Sequence, residues 1–143
     1  MSTSDFELLP PPDDEEGREL WLQHAAGFIL FEDARQYALD RIDADASETT
    51  KRAVQKGIDD ALYGLMMIID GVTGSLSNAD LSVDLKVIAR LVRRAGDAVV
   101  QQLDLFEGDG MCMGYHGWRD GDFGKTPVAK RRGARRSTRK NKR

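Results

Sequence analysis

Cys112 and His116 stand four residues apart in a segment that also carries Met111, Met113, Tyr115 and Trp118. Those two residue types serve nucleophilic catalysis. A thiolate attacks, and a neighbouring imidazole lowers the thiol pKa and moves the proton. Spacing alone does not assemble such a pair, and a lone free cysteine commonly packs as a small apolar side chain. Asp59 and Asp70 are the acids that a small enzyme built on this pair would recruit.

The same residues make a poor metal set. A structural zinc site takes four Cys or His ligands, and Cys112, His116 and distant His24 supply three. An EF-hand alignment on Gly110 puts Leu105, Met113 and His116 at the first, ninth and twelfth ligand positions, where oxygen donors are required. The glycines of 108–124 do not follow a strand and open a helix, and GxxxxGK[ST], GxSxG and HExxH are all missing. The residues therefore imply no metal and no cofactor, and they favour binding over turnover.

Three stretches must position whatever site exists. In Lys51–Gly74, Val54, Ile58, Ala61, Leu65, Ile68 and Val72 recur at steps of four and three, the pattern of one helical face. Residues 61–69 are apolar nearly all round, which implies partners on two sides. Gly57, Gly64 and Gly71 fall on one line and suggest a close helix–helix approach. Asp70, at the negative end of the helix dipole, calls for a capping role or a cation. A first helix is expected from about Asp14 to Ala44, with Asp13, Asp14, Glu15 and Glu16 at its positive end. A third is expected from about Leu81 to Phe106 on the stripe Leu81, Leu85, Ile88, Val92, Ala95, Val99, Leu103 and Phe106, although its start also alternates like a strand. The expected fold is mainly all-α: a three-helix antiparallel bundle with a Gly-rich lid over 108–124. Residues 1–12 read as a flexible leader, 13–124 as the domain and 125–143 as a disordered basic tail.

Charge is divided along the chain. Residues 125–143 carry ten basic side chains and no acids, leaving 11 basic and 24 acidic residues in 1–124, so a body of −13 bears a tail of +10. Lys130, Arg131, Arg132, Arg135, Arg136, Arg139 and Lys140 are the candidates for attraction to nucleic acid, although no aromatic residues interleave them for base stacking. The body suits electrostatic steering toward a basic protein.

Tyr115, Trp118 and Phe123, with Asp70, are candidate partner anchors if exposed; the alternative is that the rings close the core. A single cysteine and an acidic, proline-broken start suggest a reducing, cytoplasmic setting, and no apolar run approaches a membrane span. The reading is an acidic, non-catalytic binding module of regulatory or inhibitor kind. Its partner is a protein, with nucleic acid reached through 125–143 as the alternative; oligomeric state is left open.

Overall fold

The structure, a computed structural model, describes residues 2–133. Two long helices form where the sequence signals them. Helix α1 (Glu15–Leu30) starts at Asp14, whose carboxylate accepts from Gly17 N at 2.6 Å, and Glu15 and Glu16 lie at its positive end. It runs on through a π-helical segment, Phe31–Gln36, into α2 (Tyr37–Leu39). Helix α3 (Glu48–Ile69) starts at Ser47, whose hydroxyl accepts from Thr50 N at 3.1 Å. It stops where Gly71 takes a φ of 67°, a left-handed turn that frees the chain from the helix.

The rest is not a bundle. The expected all-α fold gives way to a mixed α/β one, with three two-stranded antiparallel pairs. β1 (Phe6–Leu8) pairs with β6 (Val128–Lys130), β2 (Leu76–Ser77) with β3 (Ser82–Val83), and β4 (Ile88–Val92) with β5 (Val99–Asp104). Strands β2 to β5 fall in and beside the expected third helix. The physical reason lies at its centre: Gly96 and Asp97 both take positive φ, 85° and 55°, which a helix excludes and a hairpin turn uses. Around that turn the β-branched Ile88, Val92, Val99 and Val100 suit a pleated surface. Ala89 pairs with Leu103 in the register, and both turn toward the core.

The Gly-rich segment also departs from expectation. Instead of an extended lid it forms α4 (Met111–Arg119), preceded by a 3₁₀ turn, Leu105–Glu107. Two internal glycines, Gly114 and Gly117, weaken this helix by about 0.5–1 kcal/mol each. Their absence of side chains is what the packing needs. A Cβ on Gly27 of α1 would lie 2.5 Å from the Trp118 indole, and one on Gly114 would meet the same ring. Trp118 is thus wedged against two backbones, with Phe31 edge-on and Phe123 stacked at 6.3 Å. Met111, Tyr115 and Trp118, one face of α4, join Trp21, Leu22, Leu62, Met66, Ile69, Leu103 and Leu105 in one core.

Both ends of the described chain are tied down. The leader, expected to be flexible, is held by β1 and by Thr3, whose N–H and hydroxyl donate to Asp33 at 2.8 and 2.6 Å. Within the expected disordered tail, Lys130 ends β6 and Arg131 donates to Phe6 O at 2.8 Å. Arg132 follows, exposed; Arg135, Arg136, Arg139 and Lys140 lie outside the described residues.

Gly57 and Gly64 were expected to mark a close helix–helix approach, yet a Cβ at either meets nothing within 4 Å. This separates two kinds of glycine. Gly27→Ala should lower stability by about 1–3 kcal/mol through overpacking against Trp118. Gly57→Ala, in chains dilute enough to stay single, should raise it by about 0.5–1 kcal/mol. Urea unfolding of the two variants measures both, and a shift of the same sign in each would rule out the wedge.

Candidate functional site

The chemistry-bearing side chains gather where α4 meets α3, and they hold the fold together. Asp70, the C-cap residue just past α3, points its carboxylate at the start of α4. It accepts from Met111 N at 2.7 Å and Cys112 N at 2.8 Å. Gly110, at the N-cap position of α4, has no side chain to do this, so the cap comes from 41 residues upstream. Asp70 is a cap, one of the two roles its position called for.

Cys112 sits half-buried beside Asp70 and Tyr63. Burial pushes its thiol up, and the hydrogen bond and charge of Asp70 push it further; only a hydrogen bond with Tyr63 opposes them. The same crowding raises the Tyr63 phenol, through Cys112 first and Asp70 after. This is the reverse of what a nucleophile needs, because a thiolate requires a nearby cation. His116 stands one turn along α4 with its ring against Tyr63 and Tyr115, at 5.7 and 5.6 Å. No hydrogen bond joins Cys112 to His116 among the described residues.

An acid within α3, Asp59, is buried and matched. Arg35 reaches it from the π-helical segment with Nε at 2.6 Å and a second nitrogen at 3.3 Å, a two-pronged geometry that compensates a buried carboxylate. Tyr115 donates to Asp59 O at 3.2 Å, and burial raises its phenol. His24 accepts from Trp118 Nε1 at its Nδ1, 2.9 Å away. Burial lowers the His24 pKa, against the opposing charges of Asp122 and Asp109. The rings named as possible anchors lie inside: Tyr115 is 3% and Trp118 2% exposed, with Phe123 half-buried against them.

A different group of acids faces outward. A cleft of about 360 Å³ opens between α1 and the 105–109 turn, bordered by Asp14, Glu16, Glu19, Glu107 and Asp109 over an apolar floor of Leu20 and Leu103. Its base is rigid. Gln23, buried under the turn, donates to Gly110 O at 3.0 Å and accepts from Asp109 N at 2.8 Å. Among the described residues, Glu16, Glu19, Glu107 and Asp109 form no ion pair, in contrast to Asp59, Asp60 and Asp104. Nor does any group of three or more His, Cys, Asp or Glu converge on a metal position among them.

No protein family, curated protein or solved structure matches the chain. No helix among the described residues is long and apolar enough to cross a membrane.

The cleft was hidden in sequence because Asp14, Glu16 and Glu19 lie nearly ninety residues from Glu107 and Asp109. The body's acidic balance was the one signal that pointed toward it.

Two tests probe the fixed groups. Asp70→Ala should cost about 0.5–2 kcal/mol, the range for a lost N-cap, and should lower the Cys112 thiol titration by removing the charge that raises it. Thiol alkylation against pH, in both proteins, reads the second effect; an unmoved profile would contradict it. His24 binds its proton less readily folded than unfolded, so stability is complete above its ordinary value of 6.5 and declines as pH falls from there to the depressed folded value. Protonation also turns Nδ1 into a donor facing the Trp118 N–H. Urea midpoints across that window should fall for the native chain and flatten in His24→Gln.

Proposed function

We propose that this protein is a non-catalytic acidic binding module, of regulatory or inhibitor kind, that docks onto a basic protein. The observation that carries the reading is the cleft of Asp14, Glu16, Glu19, Glu107 and Asp109 on rigid elements. These carboxylates stand on backbone already ordered by α1 and the Gln23-braced turn, so a partner's lysines or arginines need no rearrangement of the chain, and the summed field of the carboxylates raises the encounter rate. Leu20 and Leu103 beneath them offer apolar contact to the aliphatic stems of those cations. The residues with catalytic potential support the same reading. Asp70, Asp59 and His24 are each bonded into the scaffold, and the Cys112 thiol is pushed toward its protonated form.

A protein is the partner that fits this cleft, since the phosphates of nucleic acid would meet carboxylates there. A cytoplasmic setting, suggested by the single cysteine, belongs to the same reading.

The test uses the full chain and a Glu16→Lys, Glu107→Lys variant as paired baits in host extract, with and without nuclease. Exposed substitutions of this sort change stability by only about 0.5 kcal/mol, so the variant should fold. The expected result is capture of a basic protein that survives nuclease, with an association rate at least tenfold lower for the variant and steeply dependent on salt. Equal capture by both baits would refute the cleft. Capture abolished by nuclease would shift the function to nucleic acid through 125–143.

A further inference from the structure

We propose that two copies of this chain pair through α3, antiparallel about a twofold axis near Gly64, with the β2–β3 hairpin of each closing over the start of the other's α3. The proposal rests on a different surface from the acidic cleft.

Helix α3 carries two apolar stripes. The fold uses one: Leu62, Met66 and Ile69 are buried with Asp59. The other is Val54, Ile58, Ala61, Leu65, Ile68 and Val72, at steps of four, three, four, three and four. The alternation of four and three repeats every seven residues, the a/d spacing of a helix meeting another helix and a narrower stripe than that of an ordinary surface helix. Yet Val54 is 42%, Leu65 37%, Ile68 39% and Val72 68% exposed.

Gly57 and Gly64 flank this seam, at a helix-weakening cost that nothing among the described residues explains, because none of them lies within 4 Å of a Cβ placed there. A second backbone approaching closely would occupy it.

Charge decides the occupant. Residues 48–56, at the start of the seam, carry a net +2 from Glu48, Lys51, Arg52 and Lys56. Residues 74–85, past its end, carry −2 from Asp80 and Asp84. A uniformly basic helix would be repelled at the start, and a uniformly acidic one at the end. The matching partner has the same stripe length and the opposite polarity, which is α3 turned end for end. That register sets Val54 against Val72, Ile58 against Ile68, and small Ala61 against Leu65. It also brings Lys51 and Arg52 to Gly74 and Ser75, the stem of the hairpin that carries Asp80 and Asp84.

At that place each chain has an apolar groove of about 730 Å³, lined by Ile68, Val72, Leu76, Val83, Leu85 and Phe106. Val54 and the aliphatic stems of Lys51 and Arg52 are the groups that the register delivers to it. The contact is isologous, so it closes at two copies.

Sedimentation of the full chain over a hundredfold range of concentration tests the pairing, with circular dichroism to confirm folding. A dimer is expected, weakened at least tenfold by Ile68→Asp. Arg52→Asp should weaken it as well, and adding Asp84→Arg to that variant should restore it, which a merely local effect would not do. In a Cys112→Ser background, oxidising a mixture of Val54→Cys and Val72→Cys chains should give a covalent dimer, whereas neither variant alone should. A monomer at every concentration overturns the proposal. So does a dimer indifferent to Ile68→Asp, or Val72→Cys cross-linking to itself as readily as the mixture. Glu16→Lys should leave the dimer intact, so the cleft and the pairing fail separately.

Discussion

The carboxylate of Asp70 sits between two helix ends, and the rest of the core depends on that position. At the end of α3 the local field is negative, and an acid there is unfavourable by about 0.3–1 kcal/mol. The N–H groups of Met111 and Cys112 at the start of α4 reverse that balance. α4 is short and contains two glycines, and a nine-residue helix of that composition does not persist alone in water. The bridge from α3 supplies its first turn. Once that turn is set, Met111, Tyr115 and Trp118 come round to a single face and fill the space between α1 and α3.

This dependence explains what could be read from the chain and what could not. α1 and α3 were legible because their signals are local: Asp14 and Ser47 as caps, then apolar residues at helical spacing. α4 was not, because its glycines argue locally for a loop and the acid that overrides them is far away in sequence. The Leu81–Phe106 stripe failed for another reason. Steps of three and four fitted a helix, but alternation in its first residues fitted a strand, and Gly96–Asp97 at its middle was the deciding turn. On α3 the helix was legible and the inward face was not, since two stripes of similar strength run along it. Of the site, only the acidic balance was visible. Pairing residues 14–19 with 107–109 requires the contact of Gln23 with the turn at Asp109.

Side chains with chemical potential are therefore divided by burial. Inside, each has a partner that lowers its reactivity: Arg35 on Asp59, Trp118 on His24, Asp70 against the Cys112 thiol. Outside, the carboxylates of the cleft are exposed to solvent. Scaffold groups that neutralise one another leave the surface charge to set the field a partner meets. Under the proposed binding role, Glu16, Glu19, Glu107 and Asp109 would do the steering while Asp59, Asp70 and His24 hold the scaffold; Asp14, which also caps α1, would serve both.

The two surfaces differ in kind, and that matters for how they combine. The seam on α3 is apolar, bipolar in charge along its length and matched to its own reverse, so in the proposed pairing it would select an identical chain. The cleft on α1 is uniformly acidic and would repel a copy of itself, so in the proposed binding role it would select something else. Neither uses the other's residues. A pair formed through α3 would carry two acidic clefts, and a basic partner with two suitable segments would engage the second at the raised effective concentration set by the first. Affinity would then depend on the stiffness of α3 and of the Gln23-braced turn as much as on any single carboxylate, since looseness in either lowers that effective concentration.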